Sequence, residues 1–307
     1  MSVLPPTPEY ISQAALALSR GELVVIPTET VYGLAADATN EAAVRKIFDA
    51  KGRPADNPLI VHIGSPSELE DIAIRIPEYV HKLVAAFWPG PLTLVLPKTP
   101  KVIDLVTAGL DSVAVRMPSH PIALEIIREA GIPISAPSAN PFMSISPTRV
   151  EHIDETIAGA AAMIIDGGPC QIGLESTIVD CRSEMPKVLR PGGISRQQLS
   201  SLLNAEVEMG TGTEKVSPGR YPRHYAPRAR VILVDRLDAD QPGLTFSVAS
   251  HAAQIQMPRD PVAYGIVLFQ ALHELDRMEL PEFFVERPPR LTEWEAIWDR
   301  LEKAAHP

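Results

Sequence analysis

The sequence predicts an α/β protein, and three observations carry that expectation. Short apolar runs rich in β-branched residues, such as Leu23–Ile26, Leu59–Ile63 and Val113–Met117, have the length and composition of buried strands. Between them lie segments with apolar residues three and four apart, as at Ala43, Val44, Ile47 and Phe48, the spacing of a helix with one buried face. Prolines number 31 in 307 residues, and many bracket the strands, so the elements are short.

In chain order, a helix is expected over Tyr10 to Ser19, with Ile11, Ala15 and Leu18 on one side. The Leu23–Ile26 strand stops at Pro27, which has no donor for the ladder. Thr28-Glu29-Thr30 then crowds three oxygen-bearing side chains at the strand's mouth, where open α/β sheets bind ligands. Asn40 caps a helix to about Ala50, which ends at Gly52 between Lys51 and Arg53. Cations there also complement the helix dipole by ~0.3–1 kcal/mol each, so this pair alone does not specify a function. Asn57 to Ile63 is a second strand, placing Asn57 and His62 soon after the pair.

Ser67 to Ile76 reads as a helix with Ser67 and Glu70 in capping-box spacing, and Pro77 to Phe87 as another. Leu92 to Leu96 is a strand introduced by Trp88-Pro89-Gly90-Pro91. Arg116 lies near the end of the next one; an unpaired Arg is costly to bury, so it is paired or lines a pocket. A helix over Pro121 to Glu129 precedes Ile132 to Pro141, where a strand end runs into small hydroxyls and prolines. That pattern permits close backbone approach to a ligand, or is simply a turn. A helix from about Arg149, strands over Ala162–Ile165 and Ser176–Asp180, and a helix over Ser195–Leu203 close this part.

From Asn204 to Ser217 the chain is polar and aperiodic, a linker ending in the aromatic and cationic Ser217–Pro227. Strands at Val231–Val234 and Phe283–Val285 and helices over Val262–Leu275 and Trp294–Ala304 form a smaller α/β unit. The expected division is 1–205, a linker over 206–229, and 230–307.

A net charge of −10 argues against a dedicated nucleic-acid binder while leaving room for a local basic cleft. Cys170 and Cys181 are too few for a disulfide framework or a cysteine-rich zinc site. The N-terminus is not a signal peptide, no run approaches the ~18 apolar residues of a membrane span, and a cytoplasmic location is expected. No Walker motif, Gly-x-Gly-x-x-Gly, His-Glu-x-x-His or nucleophile elbow occurs, and no metal ligand set is expected. What remains is Lys51, Arg53, Arg116 and Arg190, with Thr30, Ser112, Ser138, Ser146 and Ser176. Such a set suits phosphate and carboxylate recognition.

Several motifs in order extend this. Lys51-Gly52-Arg53 and Ser138-Ala139-Asn140, joined by Trp88–Thr93, Val113–Pro118, Asp166-Gly167-Gly168, Gly173–Thr177 and Leu189–Gly192, resemble the YrdC domain of threonylcarbamoyl-adenylate synthases over roughly the first two thirds of the chain. His224-Tyr225-Ala226-Pro227 resembles the linker of the longer, two-domain form. The resemblance implies a twisted, open mixed sheet with helices and a large basic cleft, plus a small Rossmann-like C-terminal domain. It implies a nucleotidyltransferase that joins L-threonine, bicarbonate and ATP into threonylcarbamoyl-AMP and pyrophosphate, with Mg2+ arriving on ATP. The product would pass to a tRNA threonylcarbamoyl transferase for modification at adenosine 37, and no stable nucleic-acid binding is expected. Carried over by position, Lys51 and Arg53 are catalytic. Thr30, His62, Arg116, Ala136 through its backbone and Ser176 hold threonine. Arg53, Asn57, Ser112, Ser138, Asn140, Ser146, Arg190, His224 and Tyr225 hold ATP.

Two segments depart from the family pattern. Pro141-Phe142-Met143 is apolar where polar and basic residues are common, and Arg220-Tyr221-Pro222 replaces a usual Met-Lys-Tyr. The competing readings are an RNA-binding YrdC-like module, and a carbamoyl- or adenylyl-transferring relative acting on another amine.

Overall fold

The computed structural model describes residues 3–210 and 221–307; residues 211–220, inside the expected linker, lie outside the described part. Eleven strands form one mixed sheet, ordered Val3–Leu4, Met163–Ile165, Val24–Ile26, Gly33–Asp37, Ile134–Ser135, Ile60–His62, Ser112–Arg116, Leu92–Pro97, Thr177–Asp180, Lys187–Arg190, Glu208–Met209. A second sheet of four parallel strands runs Arg230–Val234, Glu282–Glu286, Gly243–Thr245, Gln254–Gln256. This is the expected α/β architecture with a smaller parallel unit beside the large sheet.

Alternation along the strands sorts the core. Val25, Leu34 and Ala36 join one apolar cluster, while Val24, Ile26 and Ala35 join another, so this part of the sheet is buried on both faces. Helices Pro8–Ser19 and Pro121–Ala130 cover one face, through Ile11, Ala14, Leu18, Ala123 and Ile126. Helix Glu41–Lys51 covers the other with Ala43, Val44, Ile47 and Phe48. Its Asn40 cap accepts from the Ala43 amide, and Gly52 stops it at φ +61°.

The structure departs from the expectations in five places. Between Thr28–Tyr32 and the Asn40 cap lies an unexpected antiparallel strand, Gly33–Asp37, whose Gly-Leu-Ala-Ala-Asp composition carries no strand signature. Ser67 to Ile76 is a 3-10 turn at Pro66–Glu68 followed by one helical turn at Leu69–Ile72. Ser65 is the cap, and Ala73 leaves the helix to pair with Lys98. The helix expected from Arg149 is a 3-10 turn at Val150–His152 and a short helix Glu155–Ala160 capped by Asp154. Strands Gly243–Thr245 and Gln254–Gln256 are three residues each and too polar to show in a periodicity. Glu208–Met209, at the start of the expected linker, pairs with Lys187 and Val188 at the edge of the large sheet.

The two sheets are joined through a shared core. Val31, Ile145 and Leu174 pack with Tyr264, Leu268 and Phe269 of helix Pro261–Arg277, whose N-cap is Asp260. Gly173 and Gly265 allow the contact: a Cβ on Gly173, at φ +74°, would stand 2.5 Å from the Ile266 carbonyl oxygen. Among the described residues no helix is long and apolar enough to cross a membrane. Gly173→Ala is expected to wedge this contact and lower the unfolding free energy by at least ~1–3 kcal/mol, read as a shifted urea midpoint; an unchanged midpoint would show that the close approach is not structurally required.

Candidate active site

The central strands present a bare face. Residues two apart share a face of a strand, and the ladder sets Ile60 beside Ala114 and His62 beside Arg116, then Thr93 beside Arg116 and Val95 beside Ala114. Ile60, Val95, Ala114 and Ile178 form a small apolar floor. A cavity opens on this side of the sheet, with Ile60 and His62 in its lining, and Lys51, Arg53, Arg116 and Arg190 all line it. Four cations from positions 139 residues apart in the chain converge on one hollow in a protein of net charge −10. Thr30, His62, Ala136, Ser138, Asn140, Ser176, His224 and Tyr225 line it too.

Each cation is buried, and each is held by fixed acceptors. The Lys51 ammonium donates to the carbonyls of Ser138 and Asn140, tying the Lys-x-Arg segment to the Ser-x-Asn segment. Burial, with Arg53 beside it, pulls the Lys51 pKa well below its ordinary value. Arg53 donates to the carbonyls of Asn57 (3.2 Å) and Pro58 (2.8 Å), and burial lowers its pKa to about 9. Arg190 donates to the Ser176 carbonyl and, at 3.1 Å, to its hydroxyl, which also meets Thr93 Oγ1 at 2.7 Å.

Arg116 is paired with Glu29 at 2.6 Å, both nearly inaccessible, and its Nε donates to the Gly90 carbonyl. Burial works against the Glu29 charge, but the Arg116 charge and hydrogen bond outweigh it and leave the carboxyl pKa below its usual value. His62 Nδ1 lies 3.2 Å from the Ile60 carbonyl, which can only accept, so this nitrogen carries the proton and Nε2 is left as an acceptor. Burial and Arg116 lower the His62 pKa to about 3, so the ring is neutral.

Three expected residues fall outside the lining. Asn57 acts through its carbonyl on Arg53. Ser112 shares the strand face of Ala114 and Arg116 but sits four residues, ~13 Å, from Arg116. Ser146 directs its hydroxyl at Glu175 Oε1. The roof consists of Phe142, Met143, His224 and Tyr225. Ala226 donates to the Met143 carbonyl, His224 donates to the Lys303 carbonyl, and Phe142 meets Tyr221 edge-on at 5.1 Å. Tyr225 is held at φ +56°, an uncommon conformation for a side chain of this size.

Fold and cavity together define a YrdC-type α/β protein with a second domain, built to gather buried cations around a polyanion. The chain belongs to the two-domain threonylcarbamoyl-AMP synthase family: the profile described as “Telomere recombination” (Sua5_yciO_yrdC) matches residues 16–192, and “Threonylcarbamoyl-AMP synthase, C-terminal domain” matches residues 194–306. It is 41% identical to the threonylcarbamoyl-AMP synthase of Pyrococcus abyssi over 95% of this chain and 93% of that protein. It is 49% identical to that of Bacillus subtilis over 73% of this chain and 66% of that one. Its structure is similar to that of P. abyssi Sua5 complexed with L-threonine, with a TM-score of 0.92 and 38% identity over 99% and 98% of the two chains.

Sequence reasoning missed three groups. Glu29 was visible as an acid inside a buried Thr-Glu-Thr, and a buried acid calls for a cation. Glu175, inside the Gly173–Thr177 motif, is among the described residues the one carboxylate lining the cavity. Arg300 interrupts the buried stripe Ile297, Trp298, Leu301, Ala304 of the last helix; a cation on an apolar stripe was the available signal.

Beside the site, His152 stacks on His273 of the second domain at 4.0 Å. Burial, with His273 and nearby arginines, lowers the His152 pKa to about 3; burial lowers that of His273 to about 4. Their unfolded value is 6.5, so between these limits the unfolded chain binds more protons. Stability is full above 6.5 and drains as the pH falls below it. The urea midpoint is expected to drop between about pH 7 and pH 5, less so in His273→Gln; a flat midpoint would mean these rings are not buried neutral.

Proposed function

We propose that the chain condenses L-threonine, bicarbonate and magnesium-complexed ATP into threonylcarbamoyl-AMP and pyrophosphate in this cavity. The convergence of Lys51, Arg53, Arg116 and Arg190 on one hollow is the observation that carries the reading. The threonine amine takes up bicarbonate-derived CO2 as a carbamate. A carbamate oxygen then attacks the α-phosphorus, the bond to the β,γ-phosphates breaks, and pyrophosphate leaves. No protein nucleophile takes part. Positioning can supply ~7–11 kcal/mol of such a barrier, and pre-oriented cations stabilise charge growing on the phosphate oxygens.

On the threonine side, Arg116 has Nε and one Nη engaged, leaving the other Nη for the amino-acid carboxylate. Neutral His62 offers Nε2 as an acceptor, Thr30 and Ser176 offer hydroxyls, and the Ala136 backbone closes the pocket. On the nucleotide side, Arg53 and Arg190 meet the phosphates, with Ser138 and Asn140 beside them. Asn57, Ser112 and Ser146 extend this side along the same face and its rim. Lys51, spent on two carbonyls, orders the loop that carries Ser138 and Asn140. Magnesium belongs to the substrate in this reading, since Mg2+ commonly binds through substrate phosphates with several waters retained.

The enclosed volume is about 60 Å³, whereas small-molecule sites occupy ~300–1,000 Å³. His224 and Tyr225 therefore act as a lid that withdraws to admit substrates and returns to keep water from the mixed anhydride. A solved variant of P. abyssi Sua5 replaces an adjacent histidine and tyrosine by alanine, and this chain is similar to it with a TM-score of 0.91. Within this reading the enzyme is cytoplasmic and passes its product to a tRNA threonylcarbamoyl transferase.

Pyrophosphate release is expected to require threonine, bicarbonate and magnesium together, and to fall ~10²–10³-fold in Arg53→Ala. Serine, one methyl smaller, is expected to react ~10–200-fold less efficiently. Release that ignores threonine, or survives chelation of magnesium, would overturn the assignment.

A further inference from the structure

Glu175 poses a problem for a phosphate-binding cavity. Among the described residues it is the one carboxylate in a lining that carries four cations and several hydroxyls, and left bare it would repel a triphosphate. Each of its two oxygens instead has a partner: Oε1 accepts from the Ser146 hydroxyl, and Oε2 accepts from Arg300 Nε at 2.8 Å. Arg300 comes from the last helix, Glu295–Ala304, of the second domain and has no exposed surface. Its Nη1 donates to the Pro191 carbonyl at 2.7 Å and to Asp299, and its guanidinium carbon lies 5.0 Å from the centre of the Tyr225 ring.

Stability does not account for this arrangement. A buried ion pair often contributes no more than well-packed apolar groups of the same volume, because both charges lose their hydration. What the pair does is geometric. Pro191 follows Arg190, and Glu175 precedes Ser176, the very residue that Arg190 grips. One guanidinium thus holds both flanks of the Arg190–Ser176 contact and the ring of the lid residue.

We propose that Arg300 is a positioning residue for the ATP side of the cavity, neutralising and orienting Glu175 and bracing Arg190, so that the C-terminal domain is an obligatory part of the site. The inference rests on the synthase reading above. It treats the second domain as a source of one buried charge delivered over a distance of 125 residues in sequence.

The test compares the full-length protein with Arg300→Met, Arg300→Lys and Arg300→Met combined with Glu175→Gln, each checked by thermal melting. Binding of ATP is measured directly by calorimetry, and KM is determined separately for ATP and threonine. Arg300→Met is expected to weaken ATP binding about tenfold or more, with the KM for threonine changed much less. Adding Glu175→Gln should restore most of the ATP affinity, since a neutral amide needs no counter-charge. Arg300→Lys, which keeps the charge and loses the fork, should fall between; it carries the test where the Met variant does not fold. Unchanged ATP affinity, equal losses for both substrates, or a double variant no better than the single would overturn the proposal. A wild-type protein that binds ATP but makes no pyrophosphate would overturn the synthase reading instead, and the calorimetric comparison would still decide the role of Arg300.

Discussion

Four cations can share a buried hollow only if each is held by acceptors that cannot move away. Their mutual repulsion is strong where water is excluded, and loss of hydration disfavours every charge. The structure meets this constraint with backbone carbonyls of Ser138, Asn140, Asn57, Pro58, Gly90 and Ser176, and with a single carboxylate, Glu29. Carbonyls neutralise partially and leave net positive potential directed at a ligand. The arrangement therefore stores attraction for an anion instead of satisfying it internally.

The same constraint explains why two separated motifs belong together. Lys51 ends a helix, and the Ser138–Asn140 turn follows a strand in another part of the sheet. The ammonium joins them through two carbonyls, so the two segments are tied to each other at the cavity. A similar logic couples the domains: helix Pro261–Arg277 packs on Val31, Ile145 and Leu174, while Arg300 reaches the cavity wall at Glu175. Apolar packing fixes the distance between the sheets, and the buried charge fixes their register at the site.

Legibility differed by element for physical reasons. Helix Glu41–Lys51 was readable because cap, apolar stripe and glycine stop all coincide in the chain. Strand Gly33–Asp37 was not, since its small residues are selected by close packing, with a Cβ on Gly33 only 3.2 Å from that of Ala136. The segment after Ser67 carried a capping-box spacing, yet pairing of Ala73 with Lys98 ended the helix after one turn. Among site residues, the cations and hydroxyls stood out in motifs, and the resemblance assigned them to a family. Glu29 and Arg300 are single letters whose partners are 87 and 125 residues distant.

By itself the amino-acid order determined the α/β class, the second small domain and the chemistry on offer, because period, capping and residue type are local properties. The tertiary structure decided that the hollow lies across the face of the central strands, that His224 and Tyr225 roof it, and that Arg300 of the far helix completes its wall. Those facts depend on long-range strand register and on which buried charges find partners, and neither is written in any short stretch of sequence.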